Sequence, residues 1–356
     1  MSPLSQLREK MREAEVPALL VSDPTNVGWL TGFSGSYGRV VVTPDRAVFV
    51  TDSRYTIQAG EEVREMPVAS FSNPKDGDEF LAEQAKELGV TTLGFDASTV
   101  TYAWFEKLRD KFAGVELTPA KDLFASLRMV KSEGEIDKVR QACGVAGAAW
   151  EHIQRMVQPG VTEYDLMLDL EFYIRRQGAG VAFDTIVVSG ERSARPHGKP
   201  SEKKLEVGDF VTFDFGATID GYHSDITRTV VVGEASERHR EIYRRVLTAQ
   251  LAALDAMKPG VEAREIDRIA RESLGDLAPH FGHGLGHGLG KVVHDVGRLS
   301  PTSEEVLAPG QIWTVEPGVY LEGFGGVRIE DDVLITTDGI EILTKSPKDL
   351  LVLPRK

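Results

Sequence analysis

The sequence predicts an α/β (α+β) protein of two domains. Three observations carry that expectation: the length, an alternation of short apolar runs with helical patterns, and an internal duplication in the C-terminal part. The chain has 356 residues, whereas single hydrophobic cores stop growing at roughly 250–300 residues. Its 41% hydrophobic and 27% charged residues belong to a folded globular protein rather than a disordered or fibrous one.

In the N-terminal third, β-rich runs at Ala18–Val21, Arg39–Val42, Ala47–Thr51 and Thr92–Phe95 alternate with helical stretches near Glu79–Leu88 and Tyr102–Phe112. Asp23, Pro24, Thr25 and Asn26, and later Gly32, Gly35 and Gly38, read as loop punctuation between them. A new unit opens at Ser132, which with Glu135 has the S-x-x-E spacing of a capping box ahead of a helical pattern reaching about Val157. The boundary therefore falls near Arg128–Lys131, giving domains of residues 1–127 and 128–356.

The second domain repeats itself. Pro159-Gly160-Val161 recurs as Pro259-Gly260-Val261, each copy between two helical patterns. Downstream, Leu205, Gly208, Thr212, Asp214 and Gly216 are answered at matching intervals by Leu307, Gly310, Thr314, Glu316 and Gly318. Two helix-then-strand halves about a pseudo-twofold axis would bring Asp214 and Glu316 together from distant strands.

Composition narrows the function classes. The net charge of −14, from 55 acidic and 41 basic residues, opposes a nucleic-acid partner, which would need a basic patch. Cys143 is the only cysteine, so an intrachain disulfide and a thiolate-rich zinc or iron–sulfur site are excluded and a reducing, cytoplasmic compartment is expected. No leader-like apolar run opens the chain, and none approaches the ~20 residues a bilayer demands, so membrane insertion is not expected.

The chemistry concentrates in carboxylate pairs. Asp209–Val232 reads as a hairpin around a turn containing Asp220 and Gly221. A turn at Ile219–Asp220 sets Asp214 opposite Asp225, and one at Asp220–Gly221 makes them diagonal neighbours. Either way, side-chain alternation leaves both on one face. No lysine or arginine lies between Asp209 and Arg228, and Asp214 stands between Phe213 and Phe215 in a run too apolar for a solvated strand, so a cation is expected between the two carboxylates. A second hairpin is read from Glu316, after Trp313 and Val315, to Glu330, after the glycine-rich turn of Gly323, Gly325 and Gly326. Arg328, two residues before Glu330, shares its side and could neutralise or orient a carboxylate.

Between the pairs, Phe281–Gly290 places His283 and His287 four apart with glycine at alternate positions, which makes a helix improbable and excludes the helical H-E-x-x-H zinc motif. In an extended strand both histidines share a face, and the glycines permit close backbone approach. The spacing never becomes G-x-G-x-x-G, so a dinucleotide-binding turn is rejected. Four carboxylates with one or two imidazoles suit Mn²⁺, Co²⁺ or Zn²⁺ rather than copper or an iron–sulfur cluster. Their number implies two ions, and a pair about 3.5–4 Å apart can bridge a hydroxide and polarise an amide carbonyl.

In order and spacing, Asp214, Asp225, His287, Glu316 and Glu330 resemble the metal ligands of the M24 superfamily of creatinases, prolidases and methionine aminopeptidases. The resemblance extends through Lys131-Ser132-Glu133, Asp220-Gly221-Tyr222, Ser224–Thr229 and Val315–Gly318. Leu30–Ser36 and Asp52–Ala59 are similar to the leading domain of the proline-specific branch, which methionine aminopeptidases lack; creatinases share that domain but lose metal ligands, all five of which are present here. The resemblance implies a pita-bread catalytic domain with pseudo-twofold halves, a smaller creatinase-like N-terminal domain and a homodimer. It further implies two divalent metal ions, Mn²⁺ ahead of Co²⁺ or Zn²⁺, with Glu316 both ligand and proton shuttle. His197, His283 and His294 would bind substrate or stabilise the tetrahedral intermediate, and Arg328 matches as well.

The activity implied is hydrolysis of the Xaa-Pro bond at the N-terminus of short peptides with proline at the second position. An Xaa-Pro aminopeptidase is preferred, an Xaa-Pro dipeptidase is the alternative, and a catalytically silent binding module is a third reading. An Xaa-Pro bond is a tertiary amide with no N–H and a fixed φ, which disfavours peptidases that hold extended backbone by hydrogen bonds. A dimetal site bypasses that need, and its carboxylates would attract a free α-amino group.

Overall fold

The computed structural model describes residues 1–354, which form two compact units, Met1–Arg128 and the chain from Met129 onward. In the first, six strands lie in the order Val68–Phe71, Ala47–Asp52, Arg39–Val42, Leu19–Val21, Thr92–Asp96 and Glu116–Ala120. Alternation divides their side chains between two cores: Leu19, Val21, Val40, Val42 and Phe49 face one, while Leu20, Val41, Val48 and Val50 face the other.

Two features of this unit depart from the sequence reading. Asp23-Pro24 opens a helix, Pro24–Thr31, rather than a loop: the Asp23 side chain accepts from the Asn26 N–H at 2.9 Å, proline sits where its missing N–H costs nothing, and Gly32 ends the helix at φ 78°. Val68–Phe71 and Glu116–Ala120 went unread because they are edge strands, half-buried and exposed, without an apolar alternation to mark them.

The second unit is built twice. Helices Glu133–Ile153 and Glu163–Arg176 precede strands Ile186–Ser189, Phe210–Phe215 and Ile226–Val232; helices Glu237–Ala256 and Ala263–Leu274 precede strands Gly286–Gly288, Ile312–Val315 and Asp331–Ile335. The capping box at Ser132 and Glu135 forms, although the helix stops at Ile153, short of Val157. The duplication reappears in hydrogen bonds: Gly160 N–H to Leu205 O (2.9 Å) and Leu205 N–H to Val161 O (2.8 Å) are repeated by Gly260 to Leu307 (2.8 Å) and Leu307 to Val261 (2.9 Å). Each half has its own core, around Trp150 and Phe213 in one and Trp313 and Val315 in the other.

The alternate glycines of residues 284–288 mark a tight strand contact. A Cβ on Gly286 would stand 2.0 Å from Thr314 O, and one on Gly288 would stand 1.8 Å from Val296 O. Only glycine lets this strand lie flush against both neighbours while His287 projects from the other face. Gly288→Ala must therefore move backbone, and we expect a loss of about 2–3 kcal/mol, read as a lower urea midpoint at unchanged slope. A midpoint equal to the parent's would refute the close contact.

Candidate metal centre

The first carboxylate pair is set by the turn. Asp220 and Gly221 both have positive φ, 49° and 74°, the backbone of a two-residue hairpin turn whose twist suits the flanking strands. Ile219 then pairs with Tyr222, and the same register carries Asp214 opposite Thr227. Asp225 is thus the diagonal neighbour of Asp214, the second of the two registers the sequence allowed.

The second pair follows the same logic. Val315 pairs with Asp331 on one side, and Gly318 pairs with Arg328 on the other. Glu316 and Glu330 occupy the break between these ladders, directly across from one another. The two hairpins and the His287 strand meet at a cavity of about 840 Å³, lined by Asp214, Asp225, His287, Glu316 and Glu330, and also by His197, His283, His294 and Arg328. All nine residues singled out in the sequence therefore share one cavity.

Within it, ligand atoms of Asp225, His287 and Glu330 all lie within 4.8 Å of one another, and all three residues are buried. His287 Nδ1 donates to its neighbour's carbonyl, Gly288 O, at 3.1 Å, which leaves the Nε2 lone pair facing Glu316 Oε1 at 3.5 Å and Asp225 Oδ2 at 3.7 Å. Those separations are too long for hydrogen bonds and suit atoms converging on a common cation. Burial, aided by the nearby His294, lowers the His287 pKa to about 3, so the ring is neutral.

The carboxylates show the opposite strain. Burial first, then the charge of Asp214, pushes Glu316 up to about 8 against the pull of Arg328. Asp225 and Glu330 are raised well above the ordinary range by burial and by the other carboxylates. Asp214 Oδ1 and Asp225 Oδ1 are buried with no hydrogen-bond partner. An oxygen-rich cluster with excess negative charge and orphaned acceptors fits divalent cations.

Arg328 does more than its position in the sequence suggested. It donates to Asp214 Oδ2 at 2.5 Å, to Thr227 Oγ1 at 3.0 Å and to the Tyr320 hydroxyl at 2.8 Å. Thr227 in turn donates to Glu330 Oε2 at 2.6 Å. Tyr320 stands 2.9 Å from His283 Nε2, while His283 Nδ1 donates to Gly284 O at 2.8 Å. Half-buried His283, lowered to about 4 by desolvation, thus accepts the tyrosine proton. His197 and His294 are exposed at the rim, the latter with its ring edge-on to His287 at 4.3 Å.

Sequence reasoning missed Thr227, Tyr320, Arg298 and Asp332. Arg298 lines the cavity next to His294. Asp332 Oδ2 receives the Asp225 N–H at 2.9 Å and the Cys143 thiol at 3.2 Å. The run Glu330-Asp331-Asp332 at the start of an otherwise apolar strand was the one available signal.

Residues 137–337 match metallopeptidase family M24, and residues 3–130 match the creatinase/prolidase N-terminal domain. The chain belongs to family M24. Among its relatives, the Xaa-Pro dipeptidase of Pyrococcus furiosus is 38% identical over 98% of this chain and 99% of its own length. The structure of an Xaa-Pro dipeptidase from Bacillus anthracis superposes with TM-score 0.95 at 41% identity, covering 99% of each chain. That of an X-Pro aminopeptidase from Thermotoga maritima gives 0.90 at 37%, covering 97% of this chain and 100% of that one. The M24 fold is the expected one, a pita-bread domain with duplicated halves and a creatinase-like N-terminal domain, and the family implies divalent metal ions. Among the described residues, no helix is long and apolar enough to cross a membrane.

The raised carboxylates have a measurable consequence. With Glu316 moved from 4.5 to about 8, metal-free M24 protein binds that proton more tightly when folded than when unfolded. The stability this confers is whole below pH 4.5 and is lost as pH rises through about 8. Chelator-treated protein should therefore melt at progressively lower temperature from about pH 5 to 8, and Mn²⁺ should flatten the decline because binding displaces the protons. Equal slopes with and without Mn²⁺ would count against a cation site.

Proposed function

We propose that this M24 protein hydrolyses Xaa-Pro bonds and that dipeptides are its preferred substrates, with residues 128–356 as catalytic domain and 1–127 as leading domain. The observation that carries the reading is the convergence of four carboxylates and the free lone pair of a neutral His287 on one partly enclosed cavity. Asp214, Asp225, His287, Glu316 and Glu330 would hold two divalent ions, Mn²⁺ ahead of Co²⁺ or Zn²⁺, supplying Lewis acidity toward the scissile carbonyl and acidifying water.

The chain's own groups do the rest. Glu316, which lines the cavity across from Glu330, would take a proton from the attacking water and return it to the proline nitrogen as the amide breaks. Arg328 holds Asp214 in place, and through Tyr320 it fixes the neutral tautomer of His283 at the cavity wall. His197 and His294 would donate to the substrate or to the developing oxyanion, while His283, its Nδ1 proton given to Gly284 O and its Nε2 taking the Tyr320 proton, would bind substrate only by ring contact. Met167, Leu168, Phe183 and Ile186 give the cavity an apolar side that suits a pyrrolidine ring.

The sequence favoured an aminopeptidase; Arg298 and the relatives shift the preference. A dipeptide carries its carboxylate one residue beyond the scissile bond, and the exposed guanidinium of Arg298 lines the same cavity, its Nη1 braced by Asp295 O and Gly297 O at 2.7 Å each. A tripeptide would present a neutral amide there. The Xaa-Pro dipeptidase relatives point the same way, while the X-Pro aminopeptidase structure keeps longer peptides as the second reading.

Kinetics on an Xaa-Pro dipeptide and an Xaa-Pro-Yaa tripeptide separate the two. The dipeptide should have the higher kcat/KM, and Arg298→Gln should raise its KM by about 10–100-fold, the worth of a charge-assisted hydrogen bond, while the tripeptide is little affected. Faster tripeptide cleavage, indifferent to Arg298, would restore the aminopeptidase. Asp225→Asn should lower turnover at least about 100-fold with unchanged circular dichroism; full activity in that variant, or none in the parent with Mn²⁺, Co²⁺ or Zn²⁺, would sink the metallopeptidase reading.

A further inference from the structure

His197 sits on a turn just after the short helix Gly190–Ala194, at the start of an irregular stretch, and among the described residues no side-chain hydrogen bond holds its imidazole. Its position depends on the backbone around it, and that backbone is gathered onto one carboxylate. Glu163, in the first turn of the helix Glu163–Arg176, is fully buried. It accepts the N–H and hydroxyl of Ser189 at 2.7 and 2.9 Å, Arg192 Nε at 3.1 Å and the Ser201 hydroxyl at 2.7 Å. These donors bracket the His197 segment from both sides, and Arg192 closes the loop by donating to Lys199 O at 2.5 Å.

Nothing in the helix itself calls for this residue. Thr162 and Asp165 already complete the capping box, with Thr162 Oγ1 accepting from the Asp165 N–H at 3.0 Å. An acidic side chain in a first turn would normally stay in solvent. The duplication supplies an internal control. Glu163 N–H bonds Lys203 O, and its structural counterpart is Ala263, whose N–H bonds Glu305 O. The half that carries the histidine loop has a buried glutamate, and the other half has a buried alanine.

We propose that Glu163 is a positioning residue: it clamps residues 189–201 so that His197 is presented to the cavity. The functional consequence rests on the Xaa-Pro hydrolase reading above; the clamp itself does not. Glu163→Gln keeps size and burial but removes the charge that draws Arg192 and the two serines together, and Ser201→Ala removes only the downstream tie, so folding is retained in at least the milder variant.

The test combines hydrogen exchange with a double-mutant cycle. Glu163→Gln, and Ser201→Ala to a lesser degree, should speed amide exchange at least tenfold within residues 190–201 while the Phe210–Phe215 strand stays protected. Glu163→Gln should lower kcat/KM on an Xaa-Pro dipeptide about tenfold in the parent and less than twofold in His197→Ala. Equal losses in both backgrounds would mean a general structural role and overturn the proposal, as would unchanged exchange in both variants. If the parent cleaves no Xaa-Pro peptide, the hydrolase reading fails, and exchange alone decides the clamp.

Discussion

Four carboxylates meeting in one largely buried place is the constraint around which the catalytic unit is organised. Two like charges 4 Å apart repel by about 4 kcal/mol even at an effective dielectric near 20, and among the described residues the one lysine or arginine paired with the cluster's carboxylates is Arg328, which reaches Asp214 directly and Glu316 at 4.0 Å. Without further positive charge, the protein meets this repulsion by holding protons, which is what the raised values of Glu316, Asp225 and Glu330 express. A cation relieves the same repulsion without protons. The site is thereby prepared for metal by being uncomfortable without it.

Such a site needs support that does not itself add charge to the cavity. The strand Asp331–Ile335 and the residue before it show how alternation provides it. Glu330 faces the cavity. Asp331 faces the opposite way and is fully compensated, receiving Arg228 at 2.7 Å, Lys348 at 2.7 Å and Gln250 at 2.8 Å. Arg228 also donates to the carbonyls of Thr227 and Glu330, tying together the backbone of both hairpins directly beneath the cluster. Breaking a buried pair of this kind typically costs 3–5 kcal/mol. Three consecutive acidic residues thus have three distinct tasks, the third being Asp332 on the Asp225 amide.

The parts of this arrangement legible in the sequence were those governed by local periodicity. Alternation put Asp214 and Asp225 on one face whatever the turn, and it put Arg328 beside Glu330. Choosing between the two registers required the positive φ of Asp220, a residue for which that conformation is allowed but not obligatory. The glycines around His287 announced close packing, yet not what they packed against, because Thr314 and Val296 arrive from elsewhere in the chain. Tyr320 was illegible for the same reason, since it acts through Arg328 and His283; the acidic run hinted at Asp332 but not at its partner, the Asp225 amide, and nothing local shows that Arg298 lines the cavity. The helix after Asp23 is ambiguous in sequence because Asp-Pro signals a helix start as readily as a turn.

The duplication explains how one frame could acquire such a site. The matched hydrogen bonds at Gly160 and Gly260, and at Leu205 and Leu307, show two copies of a single scaffold, and each copy delivers one carboxylate pair. What differs is what has been added. Opposite Thr212 in the first half stands Val188; at the corresponding place in the second half stands His287, whose N–H bonds Thr314 Oγ1 at 3.0 Å. Conversely, the first half has Glu163 and the His197 loop where the second has Ala263. A symmetric frame makes a nearly symmetric bowl of carboxylates, which suffices to gather cations. Directional hydrolysis of one amide needs distinct groups on its two sides, and those groups lie where the halves have ceased to match.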